Sequence, residues 1–280
     1  PERLIFTAMA LNTTGWNLSR IIGPALAGLL IAWLAGGDKT SAYGVGIVYL
    51  VIASLYLFSS LTVLKVDRPG KAQRSREGDT WSDTLDGLRY VMAHPRVFAL
   101  IVLSILPFLF GMPLNTLLPA FNQDVLQGHA DDLGYLISAM GGGAIVGSLL
   151  MATMGDLRNK GFWLIVSCLG WGAVTAAFGA FEVQWAALVL IAAIGMLSSW
   201  NMSLNRGMLQ MQVEGHMRGR IMSIDMMSHG LMPLGVFPIS LIAEYHGVGA
   251  ALVTSGIALI AITLAVTVFM PSVRGTLRAD

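Results

Sequence analysis

The chain has 280 residues, 55% of them hydrophobic and only 12% charged, with a net charge of +1. A mean hydropathy of +0.69 lies outside the range of soluble globular domains. The single cysteine, Cys168, excludes an internal disulfide.

Eight apolar runs follow one another along the chain, at 4–34, 45–64, 97–121, 133–154, 162–181, 185–204, 221–243 and 249–270. Each reaches the ~20 residues that a helix needs to cross a hydrocarbon core of ~30 Å. The expected fold class is an all-α membrane protein with eight transmembrane helices. Alternating the connections between the two sides sorts the cations. One side receives Arg3, the segment from Lys65 to Arg96, Arg158, Lys160, Arg206, Arg218, Arg220, Arg274 and Arg278. The other receives Lys39, and Arg20 falls within a span. Fifteen of the seventeen cations thus share one side, which the positive-inside rule makes cytoplasmic, with both chain ends there. A multi-pass protein of the bacterial inner membrane is expected, with the lipid bilayer as its solvent. The chain opens on Pro1 without a cleavable signal peptide, and we read it as a fragment whose beginning is missing.

The stretch between the second and third spans carries seven of the cations and the turn-prone run Asp67, Arg68, Pro69, Gly70. That charge density excludes it from the hydrocarbon core. In its second part, Trp81, Leu85, Leu88 and Met92 recur at helical spacing, with Asp83, Asp86 and Arg89 elsewhere on the wheel. This predicts an amphipathic helix on the cytoplasmic surface.

Polar residues inside spans are costly, roughly 2.5–3.5 kcal/mol for a charge at a helix centre on insertion scales. Arg20 follows Leu4 by sixteen residues, about 24 Å along the helix, with Asn17 on the same face. A structural ion pair and contact with an anionic substrate both fit it. In the third span stands Asn115, with Pro107, Pro113 and Pro119 as points of flexure. Gly141, Gly142, Gly143 and Gly147 in the fourth suit close helix packing. Ser198, Asn201 and Asn205 form one polar face of the sixth, serving either substrate contact or bonding between helices. In the seventh, Asp225 and His229 stand at i and i+4, where a carboxylate and an imidazole can exchange a proton. A rim contact of Asp225 with Arg218 or Arg220 is the alternative. The sixteen methionines suit an adaptable greasy cavity and ordinary membrane packing equally.

A weak internal echo sets Gly23 beside Gly235 and Gly28 beside Ser240, so that the last two spans repeat the first two in the same orientation. Such parallel repeats build transporters from two six-helix halves. The run LNTLLPAFNQD from Leu114 to Asp124, followed by GYLISAMGGGAIVG from Gly134 to Gly147, resembles the start of the second half of major facilitator superfamily transporters. RGRIMS from Arg218 with GLMPLG from Gly230, and NLSRIIGPALAG from Asn17, are similar to its bacterial exporter branch, which includes the enterobactin exporter. The resemblance spans the family's fifth to twelfth helices. It implies that 1–64 holds the last two helices of the N-terminal half, 65–96 the linker, and 97–280 the C-terminal half.

Ser19, Gly23, Pro24, Ala27 and Gly28 resemble the antiporter motif of the fifth helix, with Ser19 and Ala27 where glycines are usual. GDLRNKG from Gly155 resembles the second copy of the cytoplasmic signature loop, with Asp156 in place, Leu157 replacing a basic residue, and Arg158 shifted. The resemblance implies gating roles for Gly23, Pro24, Gly28, Asp156, Arg158, Arg218 and Arg220. It places Asn115, Ser198, Asn201 and Asn205 on helices that line the family's central cavity. With Asn17 and Arg20, singled out by their depth in the first span, they are the cavity candidates; Asp225 and His229, as proton carriers, are particular to this sequence. The function implied is proton-coupled export of small amphipathic molecules by a monomer. Solute uptake and a non-transporting assembly role are the alternatives. No zinc-protease, nucleophile-elbow or phosphate-loop motif points to an enzyme. No cofactor, metal or nucleic-acid partner is expected.

Overall fold

The computed structural model describes residues 15, 19, 23, 26, 30, 33, 42–65, 80–153 and 159–269, and every regular element among them is helical. Seven helical stretches are long and apolar enough to cross a membrane. They match the second to eighth expected spans. The first span falls largely outside the described residues; Gly15, Ser19, Gly23, Leu26, Leu30 and Trp33 within it are helical.

Two compact units divide the chain, Ser19–Asp79 and Thr80–Asp280 with Pro1–Leu18. The first contains α1 (Ala42–Leu64), which has no polar face. Its tyrosines, leucines and Phe58 lie exposed all round, the pattern of a helix whose solvent is lipid.

The second unit opens with α2 (Thr80–Ala93), the amphipathic helix expected from Trp81 to Met92. Only His94, in extended conformation, separates it from the next helix. The crossing that follows is broken into α3 (Pro95–Leu106), a π turn (Pro107–Gly111) and α4 (Pro113–Asp124). Pro107 and Pro113 bring no N–H to the helix ladder, so the π turn occurs where α-helical bonding is already interrupted. The remaining crossings are α5 (Ala130–Thr153), α6 (Lys160–Ala180) and α7 (Gln184–Gln212). The next is again broken, into α8 (Arg218–Met227), a 3₁₀ turn (Ser228–Leu231) and α9 (Met232–His246). The last is α10 (Val248–Phe269).

The tightest pairings are α5 with α7, α6 with α10, and α6 with α7. Their closeness has a specific cause. A Cβ on Gly143 would run into the Ala192 carbonyl, and one on Gly195 into the Met140 carbonyl. The two glycines thus seat α5 and α7 backbone against backbone, where dispersion replaces the hydrophobic drive that lipid does not supply. Gly172 with Gly256, and Gly179 with Gly249, do the same for α6 and α10. Large side chains fill the centre, with Trp171, Phe121 and Phe178 nearly free of solvent contact.

α2 joins this unit through α8. Gly87 and Val91 are buried, and a Cβ on Gly87 would come within 2.9 Å of Ile224 Cδ1. Asp86 reaches Arg220 at 3.9 Å. The opposite stripe, Leu85, Leu88 and Met92, stays exposed among the described residues.

Candidate functional site

α7 carries its polar face inward. Asn201 donates to the Ser167 hydroxyl on α6 at 3.3 Å, and Asn205 donates to the Leu100 carbonyl on α3 at 2.9 Å. Both side chains are about 2% exposed, so they stitch three helices together. The Oδ1 of Asn205 has no hydrogen-bond partner and is buried.

Next to this seam, α3, the π turn and α7 line a narrow cleft. Ser104, Pro107 and Phe108 line one wall; Asn201, Met202, Asn205 and Arg206 line the other. α7 runs for 29 residues, about eight turns, and continues past Leu204 to Gln212. Arg206, expected in a loop, is therefore part of the helix and of the site. The correction has a simple cause: the polar residues from Asn205 to Gln212 end the apolar run but not the helix.

Asp225 arrives from α8 and is 1% exposed. Its Oδ1 accepts a 2.6 Å hydrogen bond from the Ser104 hydroxyl. Its Oδ2 lies 3.7 Å from Arg206 Nε, too far for a hydrogen bond, and is otherwise unpartnered. The arginine side chain is 40% exposed. One carboxylate thus ties α8 to α3 by a short bond and to α7 by a looser ionic contact. Asp225 lies seven residues into α8, and Arg206 six residues before the end of α7, so both stand about 10 Å inside the arginine-rich end of the bundle.

His229 does not share this setting. The 3₁₀ turn from Ser228 to Leu231 interrupts the α-helical phase between the two residues, against the expectation of one common face. His229 is exposed, with Nδ1 at 3.1 Å from the Met226 carbonyl and its ring tilted against Phe108 at 4.1 Å between centroids. It therefore lies by the cleft wall, behind the residue that Asp225's own partner Ser104 precedes by one turn.

The other sequence candidates are dispersed. Asn115 is half-buried and donates to Met112 Sδ, and Ser198 donates back to the Gly195 carbonyl within its own helix. Arg218 donates to the Val213 carbonyl, and Arg220 faces Asp86 on α2. Gly23 is helical and exposed. Asn17, Arg20, Pro24, Gly28, Asp156 and Arg158 lie outside the described residues. Ser104 and Arg206 are the site residues that sequence reasoning missed. Arg206 directly follows the Asn201–Asn205 polar face, which was the available signal; Ser104, a lone serine in an apolar run, gave none. Among the described residues, no group of three or more His, Cys, Asp or Glu side chains is placed to hold a metal ion.

The sequence profile of the transmembrane secretion effector family matches residues 1–276. Similar curated proteins include the staphyloferrin A transporter of Staphylococcus aureus, 27% identical over 89% of this chain and 60% of the relative. The multidrug efflux pump Tap of Mycolicibacterium fortuitum is 23% identical over 92% of this chain and 62% of the relative. The enterobactin exporter EntS of Shigella boydii is 29% identical over 78% of this chain and 49% of the relative. The chain thus spans less than two thirds of the length of these relatives.

Proposed function

The chain belongs to the transmembrane secretion effector family of the major facilitator superfamily, and from that premise we propose a secondary active exporter of small amphipathic molecules of siderophore or drug type, working by proton antiport with alternating access. The relatives, a staphyloferrin A transporter, a multidrug efflux pump and an enterobactin exporter, support the direction and the substrate class. The chain is a multi-pass membrane protein. In the proposed orientation its arginine-rich loops and C-terminus face the cytoplasm, it acts as a monomer, and the exchanged partner is the proton. Asn201 and Asn205 are proposed to shape the substrate cavity beside Arg206, with Asn17, Arg20, Asn115 and Ser198 as further cavity residues. Gly23, Pro24, Gly28, Asp156, Arg158, Arg218 and Arg220 are proposed as gating elements.

The observation that carries this reading is Asp225, a carboxylate 1% exposed within a membrane helix, hydrogen-bonded to one other crossing and in ionic contact with a second. Its ionised form holds α8 to α7 through Arg206. A proton bound there cancels that attraction and leaves the Ser104 bond, so α8 is released from α7 without losing α3. Loading the site from outside and emptying it to the cytoplasm then converts a proton gradient into movement of one crossing against another. His229, beside Phe108 at the cleft wall, is proposed as a relay between the cavity and Asp225.

The test is transport by the full gene product in everted membrane vesicles energised with a proton gradient. Asp225→Asn keeps the Ser104 bond and removes the titrating group. It should abolish gradient-driven accumulation of a fluorescent amphipathic dye while leaving dye binding intact. His229→Gln should slow it severalfold only, because water can replace a relay. Unchanged gradient-driven transport in Asp225→Asn would reassign the carboxylate to a structural role, and gradient-driven movement in the opposite direction would favour solute uptake.

A further inference from the structure

The amphipathic helix α2 has two faces with different partners. Gly87 and Val91 pack on α8, whereas Leu85, Leu88 and Met92 form a stripe that is 37%, 50% and 65% exposed. Arg89 borders that stripe and is itself 79% exposed; Arg96 is exposed one turn beyond the helix end. A single residue, His94, links α2 to the start of the α3 crossing. The helix is therefore held at the level where a membrane span emerges, and its uncovered face is apolar with cationic flanks. That combination fits the interfacial layer of a bilayer containing anionic lipid.

Asp86 stands on the flank between the two faces and is shared. Arg89 lies 3.5 Å from one of its oxygens and Arg220 of α8 lies 3.9 Å from the other. Both contacts are loose, so a competitor for Arg89 changes what Asp86 does. Ile224, which packs on Gly87, directly precedes Asp225. The charged groups around this junction are Asp86 and Arg89 from α2, Arg220 from α8, and Arg206 of α7 on the far side, facing Asp225.

We propose that α2 is a lipid-responsive clamp on α8, in which an anionic phospholipid headgroup takes Arg89 away from Asp86 and leaves Asp86 to bind Arg220. The lipid phosphate recruits the guanidinium through charge-assisted hydrogen bonds. The apolar stripe supplies the affinity that keeps α2 in the interface, and the freed carboxylate tightens the α2–α8 contact. α8 is then restrained just ahead of the residue that bridges it to α3 and α7. Lipid occupancy and the state of Asp225 are coupled through that one helix, and this last step alone rests on the transport reading given above.

The clamp is tested on the full gene product in vesicles of phosphatidylcholine alone or mixed with phosphatidylglycerol. A fluorophore at Leu88→Cys should be quenched by brominated acyl chains in both lipids. Amide exchange across 219–225 should slow by about fivefold on adding phosphatidylglycerol, the worth of one interfacial cation at an anionic surface. Arg89→Gln should remove the phosphatidylglycerol effect and keep the quenching. Asp86→Asn should also remove the effect, although Arg89 can still bind lipid. These variants change exposed or half-exposed side chains, so folding is not at risk. An unquenched probe, or a phosphatidylglycerol effect that survives Arg89→Gln, overturns the proposal. Because exchange and quenching are read without transport, failure here is distinguishable from failure of the export reading.

Discussion

Removing either partner of the Asp225–Arg206 pair should have very unequal consequences. The carboxylate is 1% exposed and the guanidinium side chain 40% exposed, with 3.7 Å between Oδ2 and Nε. At that separation the gross attraction is about 4 kcal/mol for an effective dielectric of ~20, most of it offset by desolvation. In Asp225→Asn the Ser104 bond survives and the half-exposed arginine turns to water, so the net loss should be about 1 kcal/mol or less. In Arg206→Gln the buried carboxylate is left with its one hydroxyl partner, and the loss should reach about 3–5 kcal/mol. The double variant Asp225→Asn/Arg206→Gln carries no charge at the site and should recover most of that loss. Unfolding of the purified protein in mixed micelles, run as a double-mutant cycle, measures all three. Equal destabilisation by the two single variants would refute the assignment of burial, and with it the view of Asp225 as the dependent partner.

Three further outcomes follow from the packing and the topology. Gly195→Ala drives a methyl into the Met140 carbonyl and should cost about 1–3 kcal/mol, read as lowered yield and thermal stability of the purified protein. Gly142→Ala meets nothing within 4 Å and should be neutral or slightly stabilising, by up to about 1 kcal/mol, since alanine is the better helix former. A cysteine at Gln127, in the connection from α4 to α5, should label in intact cells with an impermeant reagent; one at His216, between α7 and α8, should need a permeant one. Cys168 is buried and should contribute no background, and the reverse labelling pattern would invert the orientation assigned from the charge bias.

Much of the architecture was legible because lipid imposes it. A helix that must satisfy its backbone internally and present apolar side chains announces itself as a run of fixed length, and seven of the eight runs are helices long and apolar enough to cross among the described residues. The ends were less legible, and that is where the site lies. Apolarity stops near Leu204, but hydrogen bonding carries α7 on to Gln212, which moves Arg206 from a loop into the bundle. Asn201 and Asn205 were readable as one polar face; which of their partners they would choose was not. Asp225 was conspicuous as a charge in a span, yet its partners lie 121 residues away at Ser104 and on another helix at Arg206. Local spacing suggested His229 and the Arg218–Arg220 rim instead, and it could not register the 3₁₀ turn that sets His229 apart. Periodicity reads one helix at a time, whereas this site is made by three.

The π turn at Pro107–Gly111 has a consequence for how this crossing is compared and altered. A π turn takes one residue more per turn than the helix on either side of it, so everything after it is out of phase by about 100° with everything before it. Ser104 and Asn115 therefore cannot be placed on one continuous helical wheel. Any alignment of this crossing with an uninterrupted helix stays true at one end only, and shifts every facing residue at the other. Removing a single residue between Pro107 and Gly111 would restore one phase throughout. The half after the turn would keep its facing and nearly its depth. A deletion within α3 or α4 instead turns everything beyond it by about 100° and draws it in by about 1.5 Å, so the π turn is where this crossing can lose a residue without being rotated.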